Sequence, residues 1–166
     1  LSLRQSCIYG CRQFGVEDQG WAAWFIIAHL LGKPMTVYGD GCQIRDLLFI
    51  DDLLDCYLKA AAALAKGNLK RHALNIGGGP ANALSVLEFL DVLGELSGRP
   101  VHFSFSDWRP GDQKAFIADT RAAASSLGWK PKTGVRAGLT RLFEWVTANR
   151  DQIERLLSRT REDADP

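Results

Sequence analysis

Residues 35–67 read MTVYGDGCQIRDLLFIDDLLDCYLKAAAALAKG, and the order of signals in them decides the fold class. Met35 to Tyr38 is a short apolar run stopped by Gly39-Asp40-Gly41, as a strand ending in a turn. Leu47 to Ile50 reads as another strand. Asp51 and Asp52 then stand at a helix start, where acids complement the dipole. That helix runs to about Lys66, and Gly67 supplies its left-handed end. Short strands separated by glycine turns and followed by a helix indicate an α/β or α+β chain.

Working outward, the same grammar recurs. Leu1 to Ser6 alternates apolar and polar residues as a short strand would, and Tyr9 to Gln13 follows as a loop. Trp21 to Leu31 is apolar on most faces and is expected to be a buried helix closed by Gly32 and Pro34. Downstream, Ala73 to Ile76 reads as a buried strand before Gly77-Gly78-Gly79-Pro80. Ser85 with Glu88 three residues on forms a capping box. Behind it Val86, Phe89, Leu90, Leu93 and Leu96 share one helical face, ended by Gly98-Arg99-Pro100. Val101 to Phe105 and Phe116 to Ala118 read as strands. Asp119 or Thr120 is expected to cap a small helix reaching Leu127. Val135, Leu139, Leu142, Phe143 and Val146 mark a last amphipathic helix. The charged tail from Arg150, ending Glu162-Asp163-Ala164-Asp165-Pro166, is expected to extend it and then fray.

The composition excludes several classes of function. A chain of 166 residues, 46% hydrophobic and 23% charged, is one domain or half of a larger one and is not a disordered tail. Twenty basic and nineteen acidic residues leave a net charge of +1, with no global field for nucleic acid or an anionic membrane. The apolar runs are far shorter than a membrane span. Leu1 to Ser6 has no Met and no signal-peptide pattern, so the chain reads as one entered partway. Cys7, Cys11, Cys42 and Cys56 include no Cys-x-x-Cys, and His29, His72 and His102 lie far apart, which argues against zinc. Reduced thiols in a cytoplasmic protein are the simpler reading.

Three arginines stand beside glycine turns: Arg12 after Tyr9-Gly10, Arg45 after Gly39-Asp40-Gly41, and Arg109 before Pro110-Gly111. Guanidinium forks match phosphate oxygens, so arginines converging on one cleft would hold a diphosphate without raising the net charge. The plainer alternative is solvated pairs, each arginine with the acid beside it, Asp46 or Asp112. Gly77-Gly78-Gly79 follows a strand, yet neither it nor Gly39-x-Gly41 completes Gly-x-Gly-x-x-Gly. Both therefore read as turns needing positive φ. No Tyr is followed four residues later by Lys, and there is no serine elbow and no His-Glu-x-x-His. Cys7 and Cys11 have no histidine near in sequence and read as buried, inert thiols. Trp21, Trp24 and Phe25 could stack on a base or sugar, with core packing expected for at least two of them.

At these residues the chain resembles the substrate-side half of extended short-chain dehydrogenase/reductase enzymes, the NAD-dependent epimerase/dehydratase family. Within it the likeness is greatest to the CDP-paratose 2-epimerases. The stretches that carry it are Tyr9-Gly10-x-Arg12-Gln13-Phe14, Asp18-Gln19-Gly20-Trp21-x-x-Trp24-Phe25, Gly39-x-Gly41-x-Gln43-x-Arg45-Asp46 and Asn75-Ile76-Gly77-Gly78. Asp112-Gln113-x-x-Phe116-x-Ala118-Asp119 and Trp129-x-Pro131-Lys132 complete the set. Cys11 stands where many members have proline.

The resemblance implies an α/β fold, the substrate-binding part of a Rossmann-type enzyme over residues 1–149, with 150–166 as a charged tail. It implies that Arg45 and Arg109 grip the diphosphate of a CDP-sugar or other nucleotide-sugar. Asp112 would meet the ribose or position Arg109, and the strand with Thr36 and Tyr38 would lie along the base. Arg12, Gln13 and Cys7 would line the sugar pocket, and Gln5 and Ser6 would face the nicotinamide of NAD. The NAD loop and the catalytic Tyr-x-x-x-Lys would lie upstream of Leu1, making this a fragment or a truncated product, inactive by itself. The parent would be a homo-oligomeric sugar-nucleotide epimerase in the cytoplasm that binds no nucleic acid. The alternatives are a 4-epimerase or 4,6-dehydratase of the same superfamily, or a non-catalytic module.

Overall fold

The computed structural model describes residues 1–67, 69 and 73–162. His72 and the end of the tail beyond Glu162 lie outside the described residues. Strands β1 (Ser2–Gln5) and β2 (Ile8–Tyr9) precede helix α1 (Trp21–Leu31). Next come β3 (Thr36–Tyr38), β4 (Ile44–Asp46), β5 (Leu48–Phe49) and α2 (Ile50–Ala65). Strand β6 (Ala73–Ile76), a single 3-10 turn at Pro80–Asn82 and β7 (Ala83–Ser85) lead into α3 (Val86–Ser97). The chain finishes with β8 (Ser104–Ser106), β9 (Ala115–Phe116), α4 (Arg121–Leu127), α5 (Val135–Ala148) and α6 (Arg150–Glu162).

The architecture is α/β. Parallel pairs join β1 to β6, β2 to β5 and β3 to β8, with Ser2 opposite Ala73 and Thr36 opposite Ser104. Strand β4 runs antiparallel to β7 and parallel to β9. Parallel strands need long crossovers, so β3 finds β8 only after two helices have intervened. The main core lies among α1, α3, α5 and α6, where Ile26, Phe89, Leu142 and Ile153 are buried. A second cluster, with Leu48, Leu74, Ile76 and Trp129, packs α2 and α4 beside β1 and β6.

Several local expectations are met in detail. Helix α1 buries seven of its eleven residues and ends on Gly32 at φ 64°. The capping box at α3 is complete: the Glu88 amide donates to Ser85 Oγ at 3.1 Å and Ser85 N–H to Glu88 Oε2 at 2.7 Å. Gly67 and Gly98 both adopt φ 67°. Other expectations are corrected. The strand expected at 101–105 starts at Ser104, because β8 takes its register from β3. Strands β4 and β7 fall in stretches with no strand pattern of their own; each is three residues long, and the two pair antiparallel. Helix α5 ends at Asn149, whose side-chain amide donates to Trp145 O at 2.8 Å, so α6 is a new helix and not an extension. Ahead of α4 the acceptor is Asp119, whose Oδ1 takes the Arg121 amide at 3.0 Å, while Thr120 makes no side-chain cap.

The glycine triplet is explained differently from its sequence reading. Only Gly79 has positive φ, at 69°. A Cβ on Gly78 would lie 2.1 Å from the Leu47 carbonyl oxygen, and one on Gly77 2.3 Å from Asp46 Oδ2. These two glycines therefore serve close approach of strands. Asp46 explains the crowding: it is fully buried, accepting from Ser6 Oγ at 2.9 Å, Gly79 N–H at 2.9 Å and Ala118 N–H at 3.1 Å. It ties the ends of β1, β6 and β9 to β4, and it is not the partner of Arg45. Asp52 also does more than face a helix dipole. It is buried, its Oδ2 accepts Thr133 N–H at 2.8 Å, and its carbonyl accepts Trp129 Nε1–H at 2.9 Å.

Candidate functional site

A cleft of about 170 Å³ opens between the start of α1, strand β3, strand β4 and the loop after β8. Its apolar wall is Trp21, Phe25, Val37 and Val86, and its polar wall carries Thr36, Tyr38, Gln43, Arg45, Arg109 and Asp112. Glu17, Asp18 and Gly20 close one side. Five residues singled out in the sequence, from segments up to 76 positions apart by their numbers (36 to 112), thus meet on one wall.

Strand β4 aims Arg45 inward, leaving its side chain 16% exposed. Its Nη2 donates to Asp112 Oδ1 at 2.7 Å, and Nη1 donates to the Ile44 carbonyl at 2.9 Å. Asp112, placed by resemblance beside the ribose or Arg109, pairs through its side chain with Arg45. Gly111 at φ 79° and the Asp112 amide, bonded to Arg109 O at 3.1 Å, form the tight turn that makes this possible. Arg109 stacks on Tyr38, its guanidinium carbon 3.7 Å from the ring centroid. Its Nη2 lies 3.1 Å from Asp18 Oδ1. Its guanidinium is held above its ordinary range first by Tyr38, then by Asp18 and Glu17. Arg109 therefore stays charged at any working pH.

Gln43 is the residue the sequence reading passed over. Its Nε2 donates to Tyr38 O at 2.8 Å, and its buried Oε1 has no partner. A backbone carbonyl can only accept, so the amide cannot turn round. The signal was available: Gln43 stands two residues before Arg45, the spacing that puts side chains on one side of an extended segment. Glu17 was likewise missed; its Oε1 accepts from Tyr38 OH at 3.1 Å.

The other residues named from the sequence do not line this cleft. Arg12 is exposed, with φ 68°. Gln13 turns back, its Nε2 donating to Ile8 O at 3.1 Å, with a buried Oε1 that has no partner. Gln5 donates to Tyr57 OH. Ser6 is taken by Asp46. Cys7 holds the strained value φ 38° at the turn after β1, and burial pushes its thiol pKa up, against a hydrogen bond with Trp21. Cys7 and Cys11 are half-buried and not fully buried as expected. Trp21 serves both readings at once: it packs edge-on to Phe89 at 4.9 Å while lining the cleft.

The residues present do not by themselves form a dinucleotide cradle. Gly77 and Gly78 are packed against Asp46 and the Leu47 carbonyl, and no Gly-x-Gly-x-x-Gly occurs in the sequence. Among the described residues no group of three or more His, Cys, Asp or Glu could hold a metal ion. Among them, too, no helix is long and apolar enough to cross a membrane.

Comparison with known proteins follows this geometry. Residues 1–77 match the model of the NAD dependent epimerase/dehydratase family. The chain is 34% identical to the CDP-paratose 2-epimerase of Salmonella typhi over 88% of its own length and 44% of that protein's. UDP-glucose 4-epimerases and a dTDP-glucose 4,6-dehydratase match as well. Among solved structures, the UDP-glucose 4-epimerase of Thermotoga maritima with UDP-glucose superposes with a TM-score of 0.74 at 28% identity, covering 89% of this chain and 45% of that one. MoeE5 in complex with UDP-glucose and NAD gives 0.76 at 32% identity, covering 89% and 46%. The chain spans less than half the length of these relatives.

Proposed function

The chain belongs to the NAD dependent epimerase/dehydratase family, and on that premise we propose that it is the sugar-nucleotide-binding part of a nucleotide-sugar epimerase. One observation carries this reading: Arg45 and Arg109, from separate segments, line one cleft beside an aromatic ring and an apolar wall. That combination suits a ligand with a diphosphate at its centre and a flat base at one end. Arg45, kept in place by Asp112, takes one phosphate; Arg109 takes the other; Thr36 and Tyr38 flank the base. Residues 1–149 form the binding part, and α6 buttresses it through the buried Ile153.

The ligand in this reading is a CDP-sugar, as the 34% identity to a CDP-paratose 2-epimerase favours. Cytosine presents an amino donor where uracil presents a carbonyl. Gln43, on this cleft, has a buried Oε1 without a partner, and a buried acceptor left without a donor costs about 1–3 kcal/mol. A UDP-sugar 4-epimerase is the second reading, favoured by the likeness to the UDP-glucose-bound structure. Redox chemistry in the whole protein belongs to NAD, which when bound takes a hydride and returns it. The present residues bind and orient the sugar nucleotide. Calorimetric titration with CDP and UDP tests the assignment. Tighter CDP binding supports the first reading, equal or reversed affinities support the second, and binding of neither removes both.

A further inference from the structure

The groups expected to receive the diphosphate are already engaged with acids of the chain itself. Arg45 is paired with Asp112, and that pair is largely enclosed, the two side chains being 16% and 25% exposed. Arg109 is paired with Asp18, whose side chain is 89% exposed. Counting the cleft's ionisable wall gives two positive residues, Arg45 and Arg109, against three negative ones, Glu17, Asp18 and Asp112. A diphosphate adds more negative charge to a wall that is already negative on balance. Asp18 and a phosphate oxygen therefore compete for the charge of the Arg109 guanidinium and for its Nη2.

Asp18 is the acid placed to do so. It lies in a tight turn closed by the Val16 amide on Gln19 O at 2.9 Å and the Gln19 amide on Val16 O at 3.1 Å. Gly20 follows at φ 77°, a conformation that favours glycine and sets the turn apart from α1. The turn buries little of its own: Val16 is 46% exposed. Its contacts with the cleft are polar. Arg109 Nη2 reaches Asp18 Oδ1 and, at 3.5 Å, Glu17 O, while Tyr38 OH donates to Glu17 Oε1. The turn is thus fastened through the same guanidinium that the ligand would use.

We propose that Asp18 is an intramolecular stand-in for the ligand's anion, latching the Val16–Gln19 turn onto Arg109 until a diphosphate takes its place. This rests on the nucleotide-sugar reading given above. The Arg45–Asp112 pair does not exchange, being enclosed; it keeps Arg45 aimed while Arg109 changes partner. Asp18 thereby sets the threshold for entry. A ligand with no phosphate never competes with it, and a diphosphate competes with two charged oxygens where Asp18 offers one bond. Occupancy of the cleft and release of the turn become one event.

The test is calorimetric titration of the full chain and its Asp18→Asn and Asp18→Glu variants with UDP and with uridine. An exposed pair is worth little, so Asp18→Asn is expected to tighten UDP binding about two- to five-fold. Asp18→Glu, which keeps the charge, should match the parent, and uridine affinity should be the same in all three proteins. Hydrogen exchange across residues 13–20 should speed up when UDP is added to the parent. Equal or weaker UDP binding by Asp18→Asn overturns the latch while leaving the cleft assignment standing. The same gain for uridine as for UDP also overturns it, because no anion is then being exchanged. If neither the parent nor Asp18→Asn binds UDP, CDP or their nucleosides, the cleft assignment fails and the latch falls with it; if CDP binds and UDP does not, the same comparison is read with CDP and cytidine.

Discussion

Arg45 and Arg109 reach the cleft by different means, and their losses should be felt differently. Arg45 is enclosed and braced by Asp112, whereas Arg109 lies on a tyrosine ring at the rim. Charge-assisted bonds to phosphate contribute roughly 1.5–3 kcal/mol each where water is excluded. Arg45→Ala and Arg109→Ala are each expected to weaken nucleoside-diphosphate binding by about 10–100-fold, read by calorimetry with CDP and UDP. Lysine at either place should recover only part, since an ammonium cannot form the planar fork. The double variant should lose less than the sum, because both act on one ligand group. Alanine variants that bind like the parent would make these arginines ordinary ion pairs. At the same scale, Gly78→Ala should lower the stability of the chain by about 1–3 kcal/mol, because its Cβ would press on the Leu47 carbonyl, backbone that has nowhere to move. A thermal melt with an unchanged midpoint would contradict that. The arginines were legible from their turns and their chemistry. The role of Gly78 was not, because the atom it must avoid is 31 positions away by number (78 − 47), and nothing in a glycine triplet names its neighbour.

Among the elements, α1 places the most chemistry, and its two ends are secured differently. Its start, at Gly20 and Trp21, forms part of the cleft, while its end is tied to the segment leaving α3. His29, 7% exposed, has Nε2 2.8 Å from Ser97 Oγ and accepts from Arg99 Nε at 3.2 Å; Arg99 Nη2 donates to the His29 carbonyl at 2.9 Å. The ring is thus neutral with its proton on Nδ1. Burial first, then the charges of Arg99 and His102, push its pKa down from 6.5. A pKa lower in the folded state means the unfolded chain binds the proton first as pH falls. The contribution to stability is therefore whole above about pH 6.5 and drains away below it. Denaturant melts between pH 8 and pH 5 should show a midpoint falling below pH 6.5, and His29→Gln should flatten that part of the profile. A slope identical in parent and variant would remove His29 as its source. Helices were the readable part of this fold, because 3.6-residue periodicity, the Ser85–Glu88 box and the terminal glycines are all local. Strands of two or three residues were not, because β4 and β7 exist by pairing across at least 37 positions, Asp46 to Ala83 at their nearest ends. The same nonlocality hid Asp46, read as a salt-bridge partner and found as a buried hub.

Taken whole, the described residues leave a face of α2 open. Helix α2 exposes Leu54 at 50%, Tyr57 at 40%, Leu58 at 73% and Leu64 at 51%. Beside it, among the described residues, β1 is paired only with β6, and Gln5 of β1 bonds Tyr57 of α2. An apolar helical stripe next to an unpaired strand edge is a surface that soluble domains keep covered. The relatives are more than twice as long as the stretch this chain matches, and their remaining length is the natural cover in the reading proposed above. The 166 residues also lack a Tyr-x-x-x-Lys pair and a dinucleotide loop, so the chain by itself should not turn over CDP-paratose even with NAD supplied. Turnover clearly above a blank would refute that. The physical prediction is independent of the enzymology. The chain in isolation should self-associate and enhance the fluorescence of an apolar dye, and Leu54→Lys with Leu58→Lys should suppress both without changing the circular dichroism, since neither side chain supports the core. Light scattering that finds the parent monomeric at high concentration, with no dye response, would mean that this face needs no cover and that the chain is self-sufficient as it stands.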